Sequence, residues 1–181
     1  LPPELTRVGQ SLLGFVRWVA TGFDVDELIG LCQAGFIGFR RAVPDEERIP
    51  RSQEIATLLR GMRIRQGREG YKQAFARLGR TIERRIESAK QEERDTARLD
   101  IQLERLRVVQ HLVEGLLDLL PKGRQVPLAN LTQASLDYLE TYAPRSGKIY
   151  EKSARTSLAV HLRNIGDHVE SKGTLVGLAT Y

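Results

Sequence analysis

Apolar residues recur along this chain at spacings of three and four in a series of separate blocks, and each block reads as one amphipathic helix. The most regular is Leu99–Leu120, where Leu99, Leu103, Leu106, Gln110, Val113, Leu117 and Leu120 fall on a single stripe. Only Gln110 interrupts that stripe, and it is expected to meet a polar neighbour or the rim. Val109, Leu112 and Leu116 widen the apolar face beyond a two-helix seam, so this helix is expected to act as the spine of the fold.

The other blocks follow in order. Leu12, Leu13, Phe15, Val16, Trp18 and Val19 form a first helical face that Gly22 is placed to end. Asp24 or Asp26 then caps a second helix with Leu28, Ile29, Leu31 and Cys32 on its buried side. Phe36, Ile37 and Phe39, spaced around Gly35 and Gly38, fit either a short extended piece or a tail docked on the core. Arg40–Ser52 is a linker by composition, with Pro44 and Pro50, and Ser52 is expected to cap a helix carrying Ile55, Leu58 and Leu59. Gly61, Gly67 and Gly70 break the pattern before a helix from about Tyr71 to Glu87, with Phe75, Leu78, Ile82 and Ile86 on one side.

Residues 88–98 hold no large apolar side chain and read as a solvated helix or a mobile connection. One helix over 71–120 would be about 75 Å long at about 1.5 Å per residue; a break is the preferred reading. After Pro121 comes a helix with Leu131, Leu136, Leu139 and Tyr142 inward, stopped by Pro144. Ile149–Glu170 is the last, carrying Tyr150, Ala154, Leu158, Leu162, Ile165 and Val169. No segment alternates as a strand does and no repeat is evident. The fold expected is all-α, an irregular multi-helix bundle of about six to seven helices with a long helix at about 99–120, in one domain over 1–181.

Composition narrows the class. The chain has 181 residues, 41% hydrophobic and 28% charged, enough for a folded domain with a sizeable core. Its net charge of +5 permits a polyanionic partner without requiring one. A single cysteine, Cys32, allows no internal disulfide and fits a reducing cytoplasm. No run is apolar for the roughly 20 residues that span a bilayer, and no signal peptide is evident. The opening Leu1 and the closing run GTLVGLATY read as a segment cut from a longer polypeptide.

Catalytic motifs are missing. Gly147-Lys148 and Gly123-Arg124 lack the spacing and the hydroxyl residue of a phosphate-binding loop. His161 and His168 stand seven apart rather than the four that would bring two imidazoles to one metal ion, and His111 is isolated. The letters of an Asp and Glu-x-Lys nuclease recur at Asp167, Glu170 and Lys172, but crowded at one helix end. The strongest candidate is the glycine-broken segment holding Arg60, Arg63, Arg65, Arg68 and Lys72 against Glu69 alone. Such a cluster contacts phosphates without reading bases; its competing reading is a solvated basic loop. A weaker cluster is Arg145, Lys148, Lys152 and Arg155 against Glu151.

At Leu58–Phe75, LLRGMRIRQGREGYKQAF resembles a helical region of the helicase–nuclease proteins related to the AddB subunit of bacterial AddAB, with Ile64 ending a helix, Gly67 in the turn and Tyr71 opening the next helix. SLLGFVRWVATGFDVDELIGLCQAGFI upstream, and EGLLDLLPKGRQVPLANLTQASLDYLETYA and EKSARTSLAVHLRNI downstream, resemble neighbouring helices of the same proteins. The resemblance lies in spacing and covers most of the chain. It implies a non-catalytic accessory domain of a superfamily-1-type DNA repair helicase and exonuclease, with no cofactor of its own. ATP and Mg²⁺ would serve motifs elsewhere in the parent chain. The partners it implies are DNA, through its backbone, and other domains or a partner subunit.

The alternative is a protein-interaction module with an exposed apolar patch at Leu12–Val19 or in GTLVGLATY, and no affinity for DNA. A third reading, an enzyme, would require a buried convergent cluster of Asp, Glu or His.

Overall fold

Thr6 opens helix α1 (Arg7–Ala20): its backbone is extended and its Oγ1 accepts the Gly9 N–H at 3.1 Å. The computed structural model describes residues 2, 5–39, 49–64, 66–123, 125–170 and 175–177. Helix α1 ends at Gly22 (φ 69), where the Phe23 N–H reaches the Trp18 carbonyl at 2.9 Å and the Gly22 N–H reaches that of Val19 at 3.0 Å. This is a Schellman turn, and the Phe23 ring supplies its hydrophobic contact, edge-on to Trp18 at 5.0 Å. Asp24 caps α2 (Val25–Gln33), its carboxylate accepting the Asp26 N–H at 2.7 Å, and Gly35 (φ 65) closes that helix with the same turn.

Of the two readings of 36–39, the docked tail is the one present. Ile37 and Phe39 are buried, and the Gly38 N–H donates to the Tyr142 carbonyl at 2.6 Å. Residues 40–48 of the expected linker lie outside the described residues. Helix α3 (Ser52–Gly61) has Arg51, not Ser52, as its cap residue, with the Glu54 carboxylate accepting the Arg51 N–H at 2.9 Å. The Ser52 hydroxyl instead donates to the Ile37 carbonyl at 3.4 Å, tying the helix to the tail.

Helices α4 (Arg68–Gln91) and α5 (Ala97–Asp118) form a hairpin, so 71–120 is two helices. Their turn is a third Schellman motif: Arg94 N–H to the Ala89 carbonyl at 2.8 Å, with Glu93 left-handed at φ 52. The absence of large apolar side chains over 88–98 leaves that turn on the surface. Helices α6 (Leu128–Thr141) and α7 (Ile149–Glu170) make a second hairpin. Leu131 and Leu136 are only half-buried, whereas Tyr138, outside the expected face, is fully buried. Helix α7 packs on α6 and α1 and buries less of its stripe than the pattern implied: Tyr150 is 48% and Ile165 45% exposed. Two short strands, β1 (Gln125–Pro127) and β2 (Leu175–Gly177), pair antiparallel with Val126 opposite Val176. Three residues are too few to show a period of two in the sequence.

The centre of the core is α1 rather than α5. Phe15 stacks on Tyr138 at 4.3 Å, and Trp18 Nε1 donates to the Tyr71 hydroxyl at 3.3 Å, so α1 meets α4 and α6 as well as α2 and α7. Helix α5 buries Leu106, Val109, Leu112, Val113, Leu116 and Leu117, but Leu99 and Leu103 are only half-covered. Gln110 is half-buried and donates to Glu114 Oε1 at 2.8 Å. Among the described residues the architecture is an all-α irregular bundle of seven helices with one short strand pair.

Candidate nucleic-acid interface

The basic segment spans the end of α3 and the start of α4. Between them Met62 is buried and Ile64 half-buried, which anchors the connection to the core, and Gly67 (φ 85) turns the chain into α4. Arg60 is exposed in the last turn of α3 and Arg63 is exposed just beyond it. The Arg63 carbonyl accepts Arg77 Nη2 at 2.9 Å, which sets Arg63 beside α4. Arg65 lies outside the described residues.

Arg68 has a framework role. Its Nη2 donates to the carbonyls of Leu120 at 2.7 Å and Pro121 at 3.3 Å, and its guanidinium lies 5.0 Å over the Phe23 ring. Burial lowers its pKa from the usual arginine value, and the charge of Asp118 opposes that shift. Lys72 is exposed, but it precedes Arg77 by five residues and so points about 140° away around α4. The structure thus brings Arg63 to Arg77, takes Arg68 into the frame and sets Lys72 on another flank.

The spacing of three and four along α4 adds residues that the sequence reading passed over. Arg77, Arg80 and Arg84 share the exposed side of the helix. Among the described residues, the side chains of Arg60, Arg63, Lys72, Arg80 and Arg84 make no hydrogen bond or ion pair. The signal was present as arginines at 77, 80 and 84, but Glu83 and Glu87 place it inside a mixed-charge run that reads as a solvated face.

Elsewhere the cations hold helix ends. Arg7 Nη2 donates to the Gly35 carbonyl at 2.8 Å behind α2. Arg155 donates to the carbonyls of Leu139, Ala143 and Pro144 behind α6, the last at 2.7 Å. The Leu139 carbonyl belongs to the last turn of α6, and those of Gly35, Ala143 and Pro144 lie just beyond their helices, so each guanidinium sits at the negative end of a helix dipole and satisfies carbonyls there. In the second basic cluster Arg145, Lys152 and Arg155 border one pocket together with Glu151, but Arg155 is a cap, Arg145 pairs with Glu140 at 2.6 Å, and Lys148 lies 5.6 Å over Tyr150. Glu151 works at the opposite end of a helix, its Oε1 accepting the Arg7 N–H at 3.1 Å and its Oε2 the Val8 N–H at 3.3 Å.

No family model, curated protein or solved structure matches this chain. Geometry is therefore what bears on function.

The Cys32 thiol is buried in α2, and burial pushes its pKa up to about 12, which makes it a poor nucleophile. Among the described residues no group of three or more His, Cys, Asp or Glu is arranged to hold a metal ion, and no helix is long and apolar enough to cross a membrane. Of the Asp167, Glu170 and Lys172 set, Lys172 and the Glu170 side chain lie outside the described residues. The apolar patch considered at Leu12–Val19 is mostly interior: Leu12, Phe15, Trp18 and Val19 are buried, leaving Leu13 at 53% exposure. Of GTLVGLATY, only the backbone of Leu175–Gly177 is described.

Proposed function

We propose that this chain is a non-catalytic helical accessory domain of a DNA repair helicase–nuclease that contacts the DNA backbone without reading bases. Its support is the exposed set Arg60, Arg63, Arg80 and Arg84, whose guanidinium groups have no partner among the described residues. Unpaired surface cations can replace condensed counterions on phosphates, which is the main source of sequence-independent affinity. Arg68, half-buried and bonded to two carbonyls, is left out of the contact surface, and Lys72 is peripheral to it. The resemblance to AddB-related proteins supplies the setting, with ATP and Mg²⁺ used elsewhere in the parent chain. A buried reduced thiol at Cys32 agrees with a cytoplasmic location.

A second reading, a module that docks a partner subunit or a neighbouring domain, draws on α7, where Ile149, Tyr150, Val160 and Ile165 are all exposed. Fluorescence anisotropy with a labelled random-sequence duplex at low salt separates the two. The DNA reading expects binding that is indifferent to sequence and is lost when Arg60, Arg63, Arg80 and Arg84 are all changed to Ala. Absence of binding by the unaltered chain rejects the DNA reading, and equal binding by the variant rejects the patch.

A further inference from the structure

Helix α3 packs on α2 while α5 packs on α4, and the space left between α3 and α5 is a groove of about 780 Å³. Leu78 of α4 makes its floor, Leu58 and Val109 are apolar residues of the α3 and α5 walls, and Ile101, 44% exposed, also stands on the α5 wall. We propose that this groove docks one amphipathic helix of a protein partner, apolar towards the floor and acidic along the edge beside α5.

Length and backbone chemistry argue for a helix. The α5 wall runs from Arg98 to Val109, about 16 Å at about 1.5 Å per residue, which matches about three turns of a bound helix. A helix satisfies its own backbone hydrogen bonds on an apolar floor, which an extended segment does not. Two helical walls over the floor of a third present the ridges and grooves that another helix packs into.

The charges identify its acidic edge. Arg98 and Arg105 stand seven residues apart on one side of α5, so both border the groove, and neither has a hydrogen bond or ion pair among the described residues. The facing wall offers neutral Gln53 and Thr57, and its one carboxylate, Glu54, accepts the Arg51 N–H. Carboxylates on a docked helix would complete the α5 edge, and ammonium groups there would be repelled. At the end of the α3 wall, a Cβ added to Gly61 meets nothing within 4 Å, so the groove can be filled there without touching the core.

The test uses a synthetic helical peptide with leucines at i, i+4 and i+7 and glutamates along one edge, and a twin with lysines for the glutamates. The glutamate peptide should bind at least about tenfold more tightly than its twin at low salt, and amide signals should move at Leu58, Ile101 and Val109. Arg98→Ala with Arg105→Ala should remove the preference. Gly61→Phe should weaken binding by at least about tenfold, and Ile101→Glu, a change at an exposed position, serves as the second block should Gly61→Phe fail to fold. No binding of the glutamate peptide, equal binding of the twins, or signals moving elsewhere would overturn the proposal. So would displacement of the peptide by a short DNA duplex, which would assign Arg98 and Arg105 to a nucleic-acid surface.

Discussion

Arg68 Nη2 reaches the Leu120 carbonyl at 2.7 Å across 52 residues of chain, joining the first turn of α4 to the end of α5. The same guanidinium covers the Phe23 ring that closes α1. One side chain therefore links three helices, and its half-buried guanidinium faces two carbonyl dipoles.

Arg68→Ala is expected to lower unfolding stability by about 2 kcal/mol, the scale of lost hydrogen bonds to a charged donor. Arg68→Lys should recover only part of this, because an ammonium lacks the planar fork and the stacking face. Urea denaturation of the three proteins measures it; a loss below about 0.5 kcal/mol for Arg68→Ala would return Arg68 to the surface set.

Glu151 accepts two backbone N–H groups at the start of α1 from a distant helix. Glu151→Ala leaves those donors without the carboxylate and should cost about 1–3 kcal/mol. Amide hydrogen exchange should show Arg7 and Val8 opening more readily than in the unaltered chain, with the end of α1 at Val19 much less affected.

Glu93 holds a left-handed conformation at φ 52 that Gly occupies without strain. Glu93→Gly should raise stability by about 0.5–1 kcal/mol, the left-handed strain of about 1–2 kcal/mol that it relieves less the entropy cost of glycine in the unfolded chain. Gly35→Ala should do the reverse, since Gly35 has φ 65 and an added Cβ would stand 2.8 Å from Arg7 Nη2. Thermal melts of both variants check the pair of signs.

Alkaline pH should destabilise the fold. Burial pushes the Cys32 thiol from 9.0 up to about 12, and burial followed by the Asp118 charge pushes the Tyr142 phenol from 10.0 up to about 12. The unfolded chain loses the thiol proton above pH 9 and the phenol proton above pH 10 while the folded chain keeps both, so stability fully present below pH 9 falls as pH rises towards 12. Denaturant midpoints between pH 8 and 10 should fall with a slope that Cys32→Ala makes shallower.

The helices were legible where the apolar period was clean, as in α1, α2 and the buried half of α5. Gly22 announced its turn because only glycine enters a left-handed turn freely, whereas Gly35, one of two glycines in an apolar run, did not single itself out as the end of α2. Glu93 carries no such signal, so the break between α4 and α5 was placed only by the lack of apolar residues. The centrality of α1 was hidden because Trp18 and Phe15 gain their partners, Tyr71 and Tyr138, from distant sequence. For the same reason a cluster of arginines in sequence said little about which are free. Arg68 and Arg155 meet carbonyls 52 and 16 residues away, whereas Arg77, on the side of α4 that also carries Arg80 and Arg84, meets the Arg63 carbonyl 14 residues before it.

The salt dependence of DNA binding tests most directly the claim that Arg60, Arg63, Arg80 and Arg84 meet phosphates while Arg68 serves the frame. Each phosphate contact contributes about 0.9 to the slope of log K against log salt for duplex DNA. Arg60→Ala combined with Arg63→Ala should make the slope shallower by about 1.8, and Arg68→Ala should leave it unchanged under conditions where the chain stays folded. An unchanged slope in the double variant, or a shallower one in Arg68→Ala, would contradict the assignment.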